Sequence, residues 1–160
     1  MTPNVRRARP DDVADITAMI HQLAEFEEAA QQCSVTEKQI AAALFGKDPT
    51  LRGHVSEVGG HVAAMALWFR NFSTWDGVPG IYLEDLYVRP DFRRRGLARG
   101  LLTALAGECL ANGYTRLSWA VLNWNTDAIA LYDGVGGRPQ TEWTTYRVSG
   151  PELAALAEPR

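Results

Sequence analysis

Arginines at positions 89, 93, 94, 95 and 99 crowd around Gly96, where leucines 97, 101, 102 and 105 begin a helical repeat. A helix N-terminus presents unpaired N–H groups and roughly half a positive charge, and a glycine lets a ligand approach the backbone closely. Guanidinium forks match phosphate oxygens two at a time, so a phosphate, or better a pyrophosphate, is the guest these residues suit. A solvated basic turn is the plainer reading of the same charges. The Gly-Lys-Ser/Thr ending of a P-loop is absent and so is Gly-x-Gly-x-x-Gly, which removes two nucleotide-binding loops from consideration. The "GVGG" of Gly134 to Gly137 follows a helical stretch, not a strand, and reads as a helix stop.

The rest of the chain must position that loop. Its 160 residues, 46% hydrophobic and 22% charged, suit one globular domain with one core. The formal charge of −3 gives no general attraction to nucleic acid or to an anionic membrane, so any anion site is local. "MTPNVRRARP" lacks the apolar core of a signal peptide and no apolar stretch could cross a bilayer, so a cytoplasmic location without membrane or nucleic-acid partners is expected. Cys33 and Cys109 are too few for a disulfide framework and lack metal-ligand neighbours; both read as reduced thiols, and no metal is expected.

"VRRA" (Val5 to Ala8) opens as a short strand. Pro10, Asp11 and Asp12 start a helix whose apolar face is Val13, Ile16, Ile20 and Leu23, ending near Glu28. "TEKQIAAALFG" is a second helix closed by Gly46, and Gly59-Gly60 joins "HVSEV" to "HVAAMALWF" as a hairpin. A loop, "RNFSTWDGVPG", precedes the central strand "IYLEDLYV" (Ile81 to Val88). A helix from Leu97 stops at Asn112-Gly113, "YTRLSWAVL" is another buried strand, and Asn125 caps the helix "TDAIALYDG". "TEWTTYRV" reads as a strand and "PELAALAE" as a short amphipathic helix. An antiparallel front half and a β-α-β-α-β back half predict an α/β fold, a mixed central sheet with helices on both faces.

Arg93-Arg94-Arg95-Gly96-Leu97-Ala98 fits Arg/Gln-x-x-Gly-x-Gly/Ala, so the chain resembles the Gcn5-related N-acetyltransferase (GNAT) superfamily, whose motif lies likewise between a central strand and a helix. "LAEFEE", "VTEK", "YLEDLYV", "DFRRRGLARGLL", "NWN", "LYDGVGG" and "EW" follow the order found in the diamine (spermidine/spermine) and thialysine acetyltransferases, over nearly the whole chain. Phe26 departs from the tyrosine usual in that group and removes a hydroxyl from the expected amine pocket.

The resemblance implies a single GNAT domain over residues 1–160 that uses acetyl-CoA as co-substrate. Its pyrophosphate would sit on the amides of the Arg93, Arg94, Arg95, Gly96, Leu97, Ala98 and Arg99 loop, and its pantetheine arm along Leu86, Tyr87 and Val88. Asn125 would bond the arm or cap its helix, two roles competing for one amide side chain. An alkylammonium near pKa 10.4 is only roughly 0.04% neutral at pH 7, so acetyl transfer to an amine needs a proton acceptor. Glu84 is the implied general base, since a carboxylate partly desolvated on a central strand can have a raised pKa. Asp85 would point to the opposite face in a regular strand, although a bulge would redirect it, and it reads as a substrate-ammonium contact. Tyr132 matches the general acid that protonates the leaving thiolate, and the amide of Leu86 would hold the oxyanion.

Phe26, Glu27 and Glu28, with Asp85 and Trp143, make an acidic and aromatic set suited to a small cation; the plainer reading of the glutamates is a solvated helix face. His21, His54 and His61 match no catalytic role. The leading expectation is transfer to a primary amine of a polyamine, diamine or thialysine-like amino acid by direct attack in a ternary complex. Protein or peptide acetylation is the alternative, and a CoA-binding or nucleic-acid-binding module without catalysis stands behind it. A homodimer is implied by the family.

Overall fold

The computed structural model describes residues 2–160. The chain groups into two units, one ending at Thr126 and the other comprising Asp127–Arg160. The first holds β1 (Asn4–Arg7), α1 (Val13–Phe26), α2 (Glu37–Phe45), β2 (Arg52–Val58), β3 (His61–Ser73), β4 (Val78–Val88), α3 (Leu97–Asn112) and β5 (Leu117–Trp119). The helix α4 (Thr126–Gly134) opens the second, which ends in α5 (Pro151–Ala157).

Five strands lie in the order β1-β2-β3-β4-β5. All neighbours are antiparallel except β4 and β5, which are parallel, so the sheet is mixed. Helices cover both faces. On one, Ile16 and Met19 of α1 and Ile40 and Leu44 of α2 pack against Val55, Met65, Leu67 and Tyr87. On the other, α3 buries Leu97, Leu101 and Leu105, and its Glu108 reaches Arg7 and His54. Trp68 faces this side too, donating its indole N–H to His54 Nδ1 at 3.0 Å.

Local chemistry sets the boundaries. Thr36 Oγ1 accepts the Gln39 N–H while the Gln39 side chain accepts the Thr36 N–H, a reciprocal cap that starts α2. Gly59 and Gly60, both at positive φ, make the two-residue turn between β2 and β3. At the N-terminus of α1, Arg6 grips Asp12 with both terminal nitrogens, at 2.7 and 2.9 Å, and also reaches Glu57 at 2.6 Å. Burial alone would push the Asp12 carboxyl up, but the hydrogen bonds from Arg6 and from the Arg9 amide hold it below the ordinary range.

Two expectations need correction. The loop foreseen over residues 70–80 is mostly strand: Ser73 pairs with Val78, and the turn between them closes by Gly77 N–H to Ser73 O at 2.8 Å. Its turn-forming residues mark only the tip of a long hairpin. The strand foreseen over 141–148 does not form, and Trp143 and Tyr146 stand exposed. A β-like residue pattern needs a neighbouring strand to become a ladder, and none of the five strands pairs with this segment. "YTRLSWAVL" is likewise strand only over Leu117–Trp119.

Candidate active site

Strand β4 breaks its pairing in two ways at one place. On its β3 side, Leu83 pairs with Trp68 and Asp85 with Leu67, which leaves Glu84 as an extra residue, a β-bulge. The bulge reverses the alternation of side chains along the strand. Tyr82, paired with Phe69, and Asp85 and Tyr87, paired with Leu67 and Met65, therefore share the face covered by α1. On its other side, β5 pairs only with Ile81, Tyr82 and Leu83.

From Glu84 to Val88 the strand has a partner on the β3 side alone. The Arg89 N–H donates to Ala63 O at 2.9 Å. Two-residue alternation then turns the backbone groups of Leu86 and Val88 toward the side that β5 has left. The Val88 carbonyl accepts from Arg93 Nε at 3.0 Å; the Leu86 amide faces the opening.

The chain then runs through Pro90–Phe92 into α3. Arg94 and Gly96 both take left-handed φ, +61° and +76°, a conformation costly for arginine and free for glycine. Left-handed residues set among extended and helical ones turn successive N–H groups toward one point and make an anion-binding concavity. No side chain caps α3, and a Cβ placed on Gly96 would meet nothing within 4 Å, so the space before these amides is open. The residues fit a pyrophosphate.

The arginines divide their labour. Arg89 is held within the fold, its guanidinium on Asp15 at 3.0 Å and on the Val62 carbonyl at 2.9 Å. Arg93 lies 5.3 Å from the Phe26 ring centre and 5.6 Å from that of Tyr87. Arg95 stacks on Phe92 at 5.4 Å, while Arg94 and Arg99 extend into solvent. A groove of about 550 Å³ runs here between the end of α1 and the β4–α3 connection, with Phe26, Glu25, Tyr87 and Arg93 on its walls.

The electrostatics fall differently from the sequence expectation. Glu84, at the bulge, is exposed. Desolvation falls instead on half-buried Asp85, whose carboxyl burial, with the charges of Glu84 and Glu27, pushes up to about 6. Burial pushes Glu27 up as well. Two carboxyls that resist ionisation lie on one face, and among the described residues neither has a salt-bridge partner, an arrangement that favours a cationic guest.

A family model described as the acetyltransferase (GNAT) family matches residues 17–136. The chain belongs to the GNAT acetyltransferase family. It is 39% identical to a thialysine N-epsilon-acetyltransferase of Caenorhabditis elegans, with 93% of each chain covered, and 34% identical to that of Mus musculus, with 96% of each covered. Among solved structures, an integron cassette protein from the mobile metagenome of V. cholerae superposes with a TM-score of 0.82 at 21% identity, over 99% of each chain. The protein is thus an acetyltransferase enzyme of mixed α/β fold.

Within this GNAT domain the first unit brings together Glu27, Glu84, Asp85, the Leu86–Val88 edge and the Arg93–Arg99 loop. Phe26 is 42% exposed and pairs with Trp124 at 5.8 Å between ring centres, a contact sequence reading missed because the two lie almost a hundred residues apart. Glu28 follows α1 at a left-handed φ of +59°. Tyr132 is half-buried on α4 and Trp143 is exposed, both in the second unit. Gly134–Gly137 stops α4, with the Gly137 N–H donating to Tyr132 O at 2.8 Å. Tyr82, which the bulge aligns with Asp85, and its cross-strand partner Phe69 share this face and were not singled out as site residues from the sequence. Among the described residues, no group of three or more His, Cys, Asp or Glu could hold a metal ion and no helix is long and apolar enough to cross a membrane.

Proposed function

We propose that the protein transfers the acetyl group of acetyl-CoA to a primary amine of a small cationic substrate: a diamine, a polyamine or a thialysine-like amino acid. The observation that carries this reading is the opening of β4 at Glu84, with an amide concavity at one end of the open edge and uncompensated carboxyls at the other. The relatives named thialysine N-epsilon-acetyltransferases support an amine acceptor. When bound, acetyl-CoA supplies the activated acetyl thioester.

The amides of Arg94 to Arg99 would hold the pyrophosphate, helped by the Arg93, Arg94, Arg95 and Arg99 side chains, and the open edge at Leu86, Tyr87 and Val88 would orient the pantetheine arm with Asn125. Glu27 and Asp85 attract the ammonium. The Glu84–Asp85 pair takes its proton, directly or through water, and Asp85 is the better-matched member because a base works best with its pKa near the operating pH. The Leu86 amide would donate to the carbonyl oxygen as it gains charge, and the family resemblance assigns to Tyr132 the proton that the leaving thiolate would take up. Phe26 and Glu28 border the amine, and the family resemblance adds Trp143 as a substrate contact. Neither cysteine is required, since direct attack of the amine suffices.

The working form is a homodimer in the cytoplasm, with the exposed Trp143, Tyr146, Leu153 and Leu156 as its sticky surface; light scattering that gives one chain's mass refutes that part. Release of free CoA thiol from acetyl-CoA with spermidine, a lysine analogue and a lysine-bearing peptide tests the reaction. Turnover with the small amines supports the reading, turnover confined to the peptide favours a protein acetyltransferase, and no release with any amine overturns it.

A further inference from the structure

Arg93 opens the loop whose amides suit a pyrophosphate, yet its side chain points away from that loop. The guanidinium lies 5.3 Å from the Phe26 ring centre and 5.6 Å from that of Tyr87, and Nε donates to the Val88 carbonyl at 3.0 Å. Phe26, Tyr87 and Arg93 all line the groove at the end of α1, where Glu25 and Asp91 add two acids. Tyr87 is buried, whereas Phe26 is 42% exposed and steadied by Trp124 at 5.8 Å. A cation within about 6 Å of a ring centre is attracted by the ring's π-face. Arg93 therefore lays the protein's own positive charge on the accessible aromatic ring of a groove suited to a cationic guest.

This position is weakly held. Among the described residues no carboxylate forms a salt bridge with Arg93, and its hydrogen bond goes to one neutral carbonyl from an exposed side chain. Arg89 makes the contrast, tied to both Asp15 and the Val62 carbonyl. One residue after Arg93, the left-handed Arg94 and Gly96 begin the amide concavity. A pyrophosphate there offers the guanidinium charged oxygens, a stronger partner than a carbonyl and two rings. Turning toward it would also release the Val88 carbonyl on the open edge of β4, an acceptor for the pantetheine arm.

We propose that Arg93 is a positioning residue that couples the two substrates by cation exchange: it holds the place of the amine's ammonium on Phe26 until the pyrophosphate draws it away. This deepens the proposed function and rests on it. Two ligands that favour the same arrangement of one side chain strengthen each other's binding by the same factor.

Calorimetry with spermidine and CoA reads the exchange without turnover. Spermidine is titrated into the protein alone, into protein saturated with CoA and into protein with inorganic pyrophosphate. Its Kd is expected to fall about tenfold with CoA, within the usual range of such coupling, and by a smaller factor with pyrophosphate. Arg93→Gln, which keeps a polar side chain and removes the charge, should tighten spermidine binding to the CoA-free protein several-fold and shrink the CoA effect below twofold. Arg93→Lys should keep the coupling, and an unchanged Tm reports that each variant is folded. Spermidine affinity indifferent to CoA in the wild type, coupling that persists in Arg93→Gln, or no spermidine binding in any state overturns the proposal. Coupling that is present and lost in Arg93→Gln while no amine is acetylated keeps the exchange and refutes the reaction; acetylation without coupling does the reverse.

Discussion

Asp12 and Asp85 are two aspartates withdrawn from water on one small protein, and they have opposite fates. Asp12, 4% exposed, is met by both terminal nitrogens of Arg6 and by the Arg9 amide, and its carboxyl is held down. Asp85 meets only other acids and is pushed up to about 6. The first ties β1 to the start of α1 and has nothing left to bind. The second stores an unmet demand for positive charge where β4 leaves its neighbour. Burial alone does not mark a site; burial without a partner does.

Substitutions should separate the two. The largest effect expected is from Asp85→Asn, which removes the titrating group and should lower kcat/KM for a small amine by about 10²–10⁴, the usual contribution of a positioned acid or base. A loss under tenfold would hand the proton to Glu84 alone. Asp12→Ala should leave the KM for acetyl-CoA unchanged yet destabilise the fold by about 2–3 kcal/mol, because Arg6 loses one of its two carboxylate partners and keeps Glu57; chemical denaturation measures this, and a loss below 1 kcal/mol would deny Asp12 its structural role.

The pH dependence of stability should differ in sign. Asp12 titrates below the ordinary aspartate range in the fold, so its contribution is present above about pH 4 and is lost as the pH falls. Asp85, pushed up to about 6 from the ordinary aspartate range, weakens the fold as the pH rises from about 4 to 6, by on the order of 2–3 kcal/mol. Asp85→Asn should therefore raise Tm at pH 8 and not at pH 4. A smaller effect is expected at Glu28, whose left-handed φ of +59° suits glycine: Glu28→Gly should stabilise by about 1 kcal/mol in denaturant melts, and destabilisation would mean its side chain supports the fold.

Much of the frame is legible in the residues because it is local. The leucines of α3, the stops at Gly113 and Gly137, the Gly59-Gly60 hairpin and the Thr36 cap each depend on a few neighbouring positions. The arginine loop was legible as an anion site, and with "YLEDLYV" and "NWN" as a family resemblance. What escaped is decided across strands. The bulge at Glu84 exists only in the register of β4 against β3, and with it go the face of Asp85 and its alignment with Tyr82 and Phe69. Which carboxylate loses water depends on where the end of α1 lies: Glu84 stands exposed, and the desolvation falls on Asp85. Arg93, counted with the phosphate ligands, turns its guanidinium toward Phe26 and Tyr87, an orientation no spacing rule encodes. Residues 141–148 carry a strand's composition without a strand's neighbour.

The most direct test is thiol release from acetyl-CoA with cadaverine between pH 5 and 9, in the wild type and in Asp85→Asn. The account predicts turnover whose kcat/KM falls below about pH 6 in the wild type, as Asp85 takes up a proton, and a variant with low activity that has lost this acid limb. An acid limb that persists unchanged in the variant, or no thiol release at any pH, contradicts it.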